Sequence, residues 1–364
     1  MPIQSPVVNA DGSVTINFQC GHVNKVDLQS DFRLGQEVVV PIAADVFVPM
    51  EKGKDDIWSI TTEPVQAGIY RYAFFVDGLK VIDPLNPWMR KAEMGQPYSM
   101  VKVPSADDTP QPWDLLPDIR HGIHLRETFF SPTLNMMKRC NIYLPPGYNP
   151  SKRYPVFYLL HGGGNDYGHW VFDGTADNIM DFLIAKRQTM ELVLVMPDGN
   201  VNPIVARSGG RPPTPSPEAM EKAAQAHVDY FVNDLLPFIE SKYRADASTR
   251  IIAGLSMGCG QTWRLITSKP DLFRTAGLFS GVAADAKEKL SEVIDELVQY
   301  QLVFVAVGNR DTPRIIESMQ ALPAVLDKLK IKHRFFETEG GHIWAVWQRA
   351  LVEMLTALSL PEKV

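Results

Sequence analysis

From about residue 121 onward, short apolar runs alternate with helical segments, and this alternation constrains the fold more than any other feature of the chain. The apolar runs are YPVFYLL (154–160), LVLVMP (192–197), RIIAGL (250–255) and QLVFVAV (301–307). Between them lie amphipathic stretches, such as 177–187 and 227–243, whose apolar residues recur at helical spacing. Alternation of this length predicts a doubly wound α/β domain, in which helices cover both faces of a mostly parallel sheet.

The first hundred residues have a different pattern, which is typical of an all-β fold. Runs rich in Val, Ile, Tyr and Phe predict strands at 13–20, 37–48, 56–64 and 68–81. Asp77-Gly78, inside the last run, predicts a hairpin turn. A Pro-rich stretch at 103–118 then predicts a linker. We therefore predict a small β-sandwich at 1–104, a linker at 105–120 and the α/β domain at 121–364.

The charge balance excludes several classes of partner. The 364 residues include 36 Lys and Arg against 42 Asp and Glu, and no dense basic block occurs. A net charge of −6 argues against nucleic acid or an anionic membrane as a partner. No apolar run approaches the roughly 20 residues that a membrane-spanning helix needs. Residues 1–30 show no basic stretch followed by an apolar one, so no signal peptide is visible.

Metal and cofactor signatures are also missing from the sequence. Its three cysteines form no C-x-x-C pair and do not predict a disulfide framework. There is no zinc-type spacing, no Walker loop and no G-x-G-x-x-G after a strand, so no cofactor and no metal are expected. Cys259 is expected to be a small buried hydrophobe rather than a nucleophile.

The segment IIAGLSMGCG (251–260) contains the pattern G-x-S-x-G, with Ser256 between Gly254 and Gly258. After a strand, this spacing predicts a sharp turn into a helix that lifts the serine hydroxyl above the end of the sheet. A single five-residue match is weak evidence. A nucleophilic serine also needs a base, an acid that orients the base, and an oxyanion site.

Asp311 and His342 meet this requirement in the order that doubly wound hydrolases use, which is serine, acid, base. Asp311 follows the apolar run at 301–307, and His342 follows the last predicted strand and two glycines. Reacting groups in such sheets gather at the carboxyl ends of the strands. The alternatives are that Asp311 and His342 cap helices, and that Asp285 is the acid.

An oxyanion site requires main-chain N–H groups that point at the developing negative charge. The run HGGG (161–164) follows an apolar strand, and its glycines let bare backbone approach a substrate carbonyl. We expect the N–H groups of Gly163 and Met257 to be the two donors. His161 is expected to hold the loop in place rather than to act as a second base.

With these residues in place, the chain from about residue 124 resembles the esterase family that contains feruloyl, acetyl xylan and enterochelin-type esterases. The resemblance rests on four blocks in the family's order: YLLHGGG, MPDGN, GLSMG and GGHIWAVWQRAL. It implies an α/β-hydrolase in which Ser256, Asp311 and His342 are nucleophile, acid and base. The chain departs from the family at Cys259, where glycine is common. The family also implies secretion or a periplasmic location.

The N-terminal run 57–88 resembles the immunoglobulin-like early-set, or glycogen-binding-type, module that precedes some of these esterases. Such a module implies one of two roles, packing against the catalytic domain or binding a glycan. A glycan surface would use aromatic side chains of the module: Trp58, Tyr70, Tyr72 and Trp88.

The resemblance implies a serine carboxylesterase, and feruloyl esters of plant cell-wall polysaccharide are the first expectation for its small-molecule or polysaccharide substrate. The alternatives are an acetyl xylan esterase, a siderophore trilactone esterase, and a catalytically dead glycan-binding protein. Expected substrate contacts are Trp170, Trp344, Trp347 and Arg207, with Arg211 as a further candidate. The loop-rich segment 202–226 is expected to form a lid or wall beside the pocket.

Overall fold

A computed structural model describes residues 2–32, 47–90, 97–202, 216–283 and 285–358. The strands of its N-terminal part are β1 Val7–Val8, β2 Val14–Gln19, β3 Val26–Ser30, β4 Val48–Pro49, β5 Glu51–Lys52, β6 Ile57–Thr61, β7 Gly68–Val76, β8 Leu79–Val81, β9 Met89–Arg90 and β10 Tyr98–Val103. A short 3₁₀ turn covers Lys54–Asp56.

The strands of the remaining chain are β11 Ile123–Ser131, β12 Met136–Leu144, β13 Tyr154–Leu160, β14 Val193–Pro197, β15 Ala245–Leu255, β16 Thr275–Phe279, β17 Leu302–Gly308 and β18 His333–Thr338. The helices are α1 His169–Phe172, α2 Ala176–Ala185, α3 Pro217–Tyr230, α4 Leu236–Tyr243, α5 Met257–Ser268, α6 Ala286–Glu292, α7 Ile294–Leu297, α8 Pro313–Lys328 and α9 Trp344–Ala357. A π turn, Phe231–Leu235, joins α3 to α4, and a 3₁₀ turn covers Pro270–Leu272.

Strands β1 to β10 form two sheets that share a core, as a β-sandwich does. One sheet has the order β1-β2-β6-β5, and the other has β4-β3-β7-β10-β9 with β8 beside β7. Inward-facing side chains of β2 alternate with outward-facing ones, because successive residues of a strand point to opposite faces. Phe18 of the first sheet packs on Phe74 of the second, with ring centroids 4.7 Å apart.

The N-terminal strand predictions are partly confirmed. Asp77 and Gly78 form the β7–β8 hairpin turn, and both have the positive φ that such a turn requires, 46° and 88°. Most of the strand predicted at 37–48 lies outside the described residues. Strands β3 and β10 were not predicted. Asp27 and Gln29 interrupt the apolar pattern of β3, and β10 ends where the Pro-rich stretch at 103–118 begins.

The second part of the chain forms one eight-stranded sheet with the order β11-β12-β14-β13-β15-β16-β17-β18. From β14 to β18 all neighbouring strands are parallel, whereas β11 and β12 pair antiparallel at one edge. Every residue of β16 and β17 is buried, as expected for central parallel strands covered on both faces. The predicted doubly wound α/β-hydrolase fold preceded by an all-β region is therefore confirmed.

One helix begins earlier than expected. We predicted a loop up to residue 226, but α3 starts at Pro217. The Ser216 hydroxyl accepts a hydrogen bond from the N–H of Ala219, so serine is the N-cap and proline occupies the first helical position. This Ser-Pro pair is a start signal that could have been read from the sequence. Residues 203–215 lie outside the described residues.

The sandwich packs directly against the α/β sheet and its last helix. A single apolar cluster contains Tyr72 and Phe74 of the sandwich together with Trp170, Trp344 and Leu351 of the second part. The two parts also share a buried ionic contact. Arg71 on β7 lies 3.0 Å from Asp31 and 4.0 Å from Asp173, which follows α1.

Arg71→Met is expected to lower the free energy of unfolding by about 3–5 kcal/mol, because it leaves two buried carboxylates without their cation. All three side chains are less than a tenth exposed. Urea unfolding followed by tryptophan fluorescence measures the change. Lys152→Met is the matched control, because the Lys152–Glu191 pair is exposed and contributes about 1 kcal/mol at most. Equal losses in the two variants would contradict the prediction.

His121 attaches the connecting segment to the α/β part. Its Nδ1 lies 2.8 Å from a carboxylate oxygen of Asp181, and its Nε2 lies 2.9 Å from the carbonyl oxygen of Leu116. Both neighbours are acceptors, so only the protonated ring satisfies both contacts. The hydrogen bond to Asp181 raises the pKa of His121 above its ordinary value.

A raised folded-state pKa means that this stabilisation is complete below the unfolded pKa of about 6.5 and is lost as the pH rises through the folded value. We therefore expect the melting temperature of the wild type to exceed that of His121→Gln more at pH 5.5 than at pH 8.5. Thermal denaturation of both proteins at both pH values tests this. A difference that grows with pH would refute it.

Candidate active site

Ser256 lies in a strained turn between β15, which ends at Leu255, and α5, which begins at Met257. Its φ of 53° and ψ of −112° fall outside the regions that side-chain-bearing residues favour. The flanking glycines are sterically required. A Cβ on Gly254 would lie 2.3 Å from the carbonyl oxygen of Gly258, and a Cβ on Gly258 would lie 2.6 Å from that of His161. The spacing G-x-S-x-G thus forms the turn that the sequence predicts.

Asp311 and His342 are in direct contact. The Nδ1 atom of His342 lies 2.9 Å and 3.1 Å from the two carboxylate oxygens of Asp311, which is buried. A carboxylate only accepts hydrogen bonds, so Nδ1 carries the proton and Nε2 is left as the free acceptor. The N–H of Thr312 also donates to this carboxylate, at 2.7 Å, and fixes its orientation.

The loops that carry these two residues meet through glycines. A Cβ on Gly308, at the end of β17, would lie 2.3 Å from the carbonyl oxygen of Gly340. Gly340 itself has a φ of 130°, which favours glycine. The rival acid is placed differently, because Asp285 is exposed at the N-terminus of α6. Of the two candidates, Asp311 is the one that the structure brings to His342.

The glycine loop lies against the Ser256 turn. A Cβ on Gly162 would lie 3.5 Å from the Cβ of Ser256, and a Cβ on Gly163 would lie 3.9 Å from the Cβ of Met257. Met257 is the first residue of α5, where main-chain N–H groups have no partner within the helix. The structure therefore brings both predicted oxyanion donors to one place, next to Ser256.

The three tryptophans expected to contact substrate lie in the core instead. The exposed fractions of Trp170, Trp344 and Trp347 are 1%, 1% and 3%. Trp344 packs edge to face on each of the other two, with centroids 5.2 Å apart, and Trp347 packs on the ring of His342 at 4.9 Å. These values leave almost no indole surface for a bound ligand. The indole of Trp347 packs against the imidazole of His342 and helps to hold its orientation.

The arginines proposed as substrate contacts, Arg207 and Arg211, lie outside the described residues. Cys259 is buried, and burial raises the pKa of its thiol to about 12, so it stays protonated near neutral pH. Among the described residues, no cluster of three or more His, Cys, Asp or Glu side chains could hold a metal ion. In the same part of the chain, no helix is long and apolar enough to cross a membrane.

A concave feature, which we call the interdomain cleft, was not predicted. It has a volume of about 670 Å³ and lies between β9, the segment 104–116, α1 and α2. Trp88 and Phe172 supply aromatic surface, and Asp177 and Asn178 supply polar groups. Of the four sandwich aromatics considered for glycan binding, Trp58, Tyr70 and Tyr72 are buried, and Trp88 alone reaches this cleft.

Comparison with known proteins shows which family this chain matches. The family described as putative esterase matches residues 131–358, which is more than half of the chain. The chain belongs to this esterase family. The family resemblance that the sequence suggested from about residue 124 onward is thereby confirmed.

Two comparisons illustrate the range of relatives. An endo-1,4-beta-xylanase/feruloyl esterase of Xylanibacter ruminicola is 30% identical over 320 residues, which cover 85% of this chain and 41% of that protein. The feruloyl esterase module of Clostridium thermocellum, solved with sinapinate, is 26% identical with a TM-score of 0.53, and the match covers 69% of this chain and 91% of the module.

A third comparison concerns the fold of nearly the whole chain. The match to the enterobactin esterase of Shigella flexneri covers 95% of this chain and 92% of that chain. The two are 18% identical, with a TM-score of 0.69. At this identity the likeness shows a shared fold. The chain spans less than half the length of the curated xylanase/feruloyl esterase that it matches.

Proposed function

We propose that this esterase hydrolyses hydroxycinnamoyl esters, feruloyl esters of plant cell-wall polysaccharide foremost, by a Ser-His-Asp acyl-enzyme mechanism. The observation that carries the proposal is the His342–Asp311 pair at the same sheet edge as the strained Ser256 turn. Because Asp311 occupies Nδ1, the free Nε2 of the imidazole can take the proton of the serine hydroxyl.

In the first step, Ser256 Oγ attacks the ester carbonyl carbon while Nε2 of His342 accepts the hydroxyl proton. The carbonyl oxygen becomes negative and receives hydrogen bonds from the N–H groups of Gly163 and Met257. When the tetrahedral intermediate collapses, the ester C–O bond breaks and the alcohol leaves with the proton from His342. Water, deprotonated by the same histidine, then attacks the acyl carbon. The bond from this carbon to Ser256 Oγ breaks, Oγ takes the proton back from His342, and the acid is released.

The substrate class is supported by relatives. The sequence relative from Xylanibacter ruminicola combines xylanase and feruloyl esterase in its name, and a feruloyl esterase module was solved with sinapinate, a hydroxycinnamate. Because the indoles are buried, a hydroxycinnamoyl ring would be held by other side chains than Trp170, Trp344 and Trp347. Acetyl xylan and a siderophore trilactone are the alternative substrates.

A panel of esters tests the proposal. We expect methyl ferulate to be hydrolysed with a higher kcat/KM than 4-nitrophenyl acetate, and faster than acetylated xylan or a catecholate trilactone. A preference for acetate esters would favour acetylated xylan as the substrate, and a preference for the trilactone would favour the siderophore ester. No hydrolysis of any of the four would favour the catalytically dead glycan-binding alternative.

We propose, in addition, that the interdomain cleft contacts the polysaccharide part of the substrate. Sugar rings stack on partly exposed aromatic side chains such as Trp88. Their hydroxyl groups can donate hydrogen bonds to the carboxylate of Asp177 and accept them from the amide of Asn178. Calorimetry with xylohexaose tests this. Binding should weaken in Trp88→Ala and persist in Leu79→Ala, which changes an exposed residue outside the cleft. Equal binding by both variants would disprove it.

A further inference from the structure

The block MPDGN (196–200) contributes no residue to the proposed reaction, yet it lies at the centre of a buried polar network. Its last three residues, Asp198 to Asn200, form a turn directly after β14, which we call the DGN turn. This turn contacts the beginning and the end of the glycine loop as well as the nucleophile helix α5. These contacts give the block a role in the site.

The first contact sets the proton on His161. The N–H of Gly199 donates to Nε2 of His161 at 2.9 Å, so Nε2 is an acceptor and Nδ1 carries the proton. Nδ1 then donates to the carbonyl oxygen of Gly162 at 2.8 Å. The same oxygen accepts a hydrogen bond from the N–H of Asn165 at 3.3 Å, which closes a turn over residues 162–165. Gly164, inside this turn, has a φ of 73°.

This hydrogen bonding orients one peptide group. The carbonyl of Gly162 and the N–H of Gly163 belong to the same planar trans peptide and point to opposite sides of it. By holding the carbonyl oxygen on the side of its ring, His161 turns the N–H of Gly163 to the other side. That N–H is one of the two donors proposed for the oxyanion.

Two further contacts fix the distance between the donors. The side-chain amide of Asn200 donates to the carbonyl oxygen of Asn165, at the end of the glycine loop, at 3.0 Å. The side-chain amide of Gln261, one turn into α5, donates to the carbonyl oxygen of Gly199 at 2.8 Å. Because α5 begins at Met257, the DGN turn joins the element of one donor to the element of the other.

A buried ion pair holds the DGN turn itself. Lys138 on β12 is fully buried, and its ammonium donates to the carboxylate of Asp198 at 2.9 Å and to the carbonyl oxygen of Asn200. The other carboxylate oxygen accepts from the N–H and the side-chain amide of Asn200, at 3.0 Å and 2.7 Å. Although burial opposes ionisation, the buried Lys138 ammonium holds the pKa of Asp198 well below its ordinary range.

We propose that the DGN turn, held by Lys138, sets the geometry of the oxyanion site, with His161 and Asn200 as positioning residues. The proposal rests on the serine mechanism proposed above. Its specific consequence is that disturbing the turn weakens binding of the transition state, in which the oxyanion exists, more than binding of substrate or product.

The test compares two replacements of His161. Leucine removes the donor to the Gly162 carbonyl, whereas asparagine keeps an N–H near the position of Nδ1. We expect His161→Leu to lower kcat by about 10²–10³-fold with little change in KM, as for loss of an oxyanion donor, and His161→Asn to restore much of it. His333→Leu is the matched control, because His333 also contacts a nearby main-chain carbonyl through Nδ1, at 3.0 Å, but on β18.

A second measurement distinguishes positioning from a loss of fold. A phenylboronic acid bound to Ser256 forms a tetrahedral adduct that carries an oxygen in the oxyanion site, whereas ferulate binds as product. In the His161 variants, boronate affinity should fall in proportion to kcat/KM, while ferulate affinity stays within about 3-fold. If His161→Leu does not fold, Asn200→Ser tests the proposal instead. We expect this variant to lose kcat on the order of 10-fold and to bind the boronate more weakly while its ferulate affinity is unchanged.

Wild-type hydrolysis of 4-nitrophenyl acetate that is lost in Ser256→Ala establishes the mechanism on which the proposal rests. Given that result, wild-type kcat in folded His161→Leu and Asn200→Ser would overturn the positioning role alone. Equal weakening of boronate and ferulate would also overturn it. Hydrolysis that survives in Ser256→Ala would overturn both proposals.

Discussion

Ser256→Ala is expected to reduce kcat for ester hydrolysis by about 10⁶-fold, the size of loss seen when a serine hydrolase loses its nucleophile. The thiol of Cys259 cannot replace it, because this thiol is buried and has a pKa of about 12. The fold should persist, since alanine retains the Cβ of the turn. Release of 4-nitrophenol, with enzyme at micromolar concentration, measures the residual rate, and circular dichroism verifies the fold.

Cys259→Ala is the control for this experiment. Cys259 lies in the first turn of α5, and its sulfur packs so closely on Gly281 that a Cβ there would lie 2.3 Å from Sγ. The substitution removes one buried sulfur atom and leaves a small cavity, so it should cost some stability but keep kcat within about 3-fold of the wild type. A large loss of turnover in Cys259→Ala combined with activity in Ser256→Ala would assign the nucleophile to the cysteine.

The fold and the contact between Asp311 and His342 could be predicted because each depends on a short-range rule. Central parallel strands are buried on both faces, so β13, β15 and β17 appear in the sequence as continuous apolar runs. Their carboxyl ends meet at one edge of the sheet. Asp311 and His342 each follow such a strand, which is why their contact could be anticipated from the sequence.

The positions of the tryptophans could not be anticipated, because they depend on what packs against each face of a helix. Trp344 and Trp347 are three residues apart in α9 and share a face, as their spacing indicates. Sequence alone gives no sign that the β-sandwich and α1 cover this face. The interdomain cleft has the same origin, since its walls come from segments that meet only when the sandwich packs on α1 and α2.

The polar network behind the glycine loop was missed for a related reason. Asp198 and Lys138 are 60 residues apart in the chain, and their ion pair forms because β12 and β14 are neighbours in the sheet. A lysine in an apolar run is usually expected to point toward solvent. The signal available in the sequence was Lys138 within the run that becomes β12, the neighbour of a strand that is followed directly by Asp-Gly-Asn.

Asp311→Asn is expected to lower kcat/KM by about 10⁴-fold at neutral pH while KM changes little. The carboxylate now keeps the proton of His342 on Nδ1, so Nε2 is free to accept the serine proton. An asparagine amide can donate to Nδ1 instead, which moves the ring proton to Nε2 and removes the base from the position where it is needed. The kcat/KM values for 4-nitrophenyl acetate, measured at several pH values, report this loss.

Asp285→Asn separates the two candidate acids, because it makes the same chemical change at an exposed position before α6. It should leave kcat/KM within about 2-fold of the wild type, since a single exposed charge that does not contact His342 contributes little. The reverse outcome, near-normal turnover in Asp311→Asn and a deep loss in Asp285→Asn, would transfer the role of the acid. The Asp311–His342 contact would then be a structural pair, and the imidazole would have to take its orientation from α6.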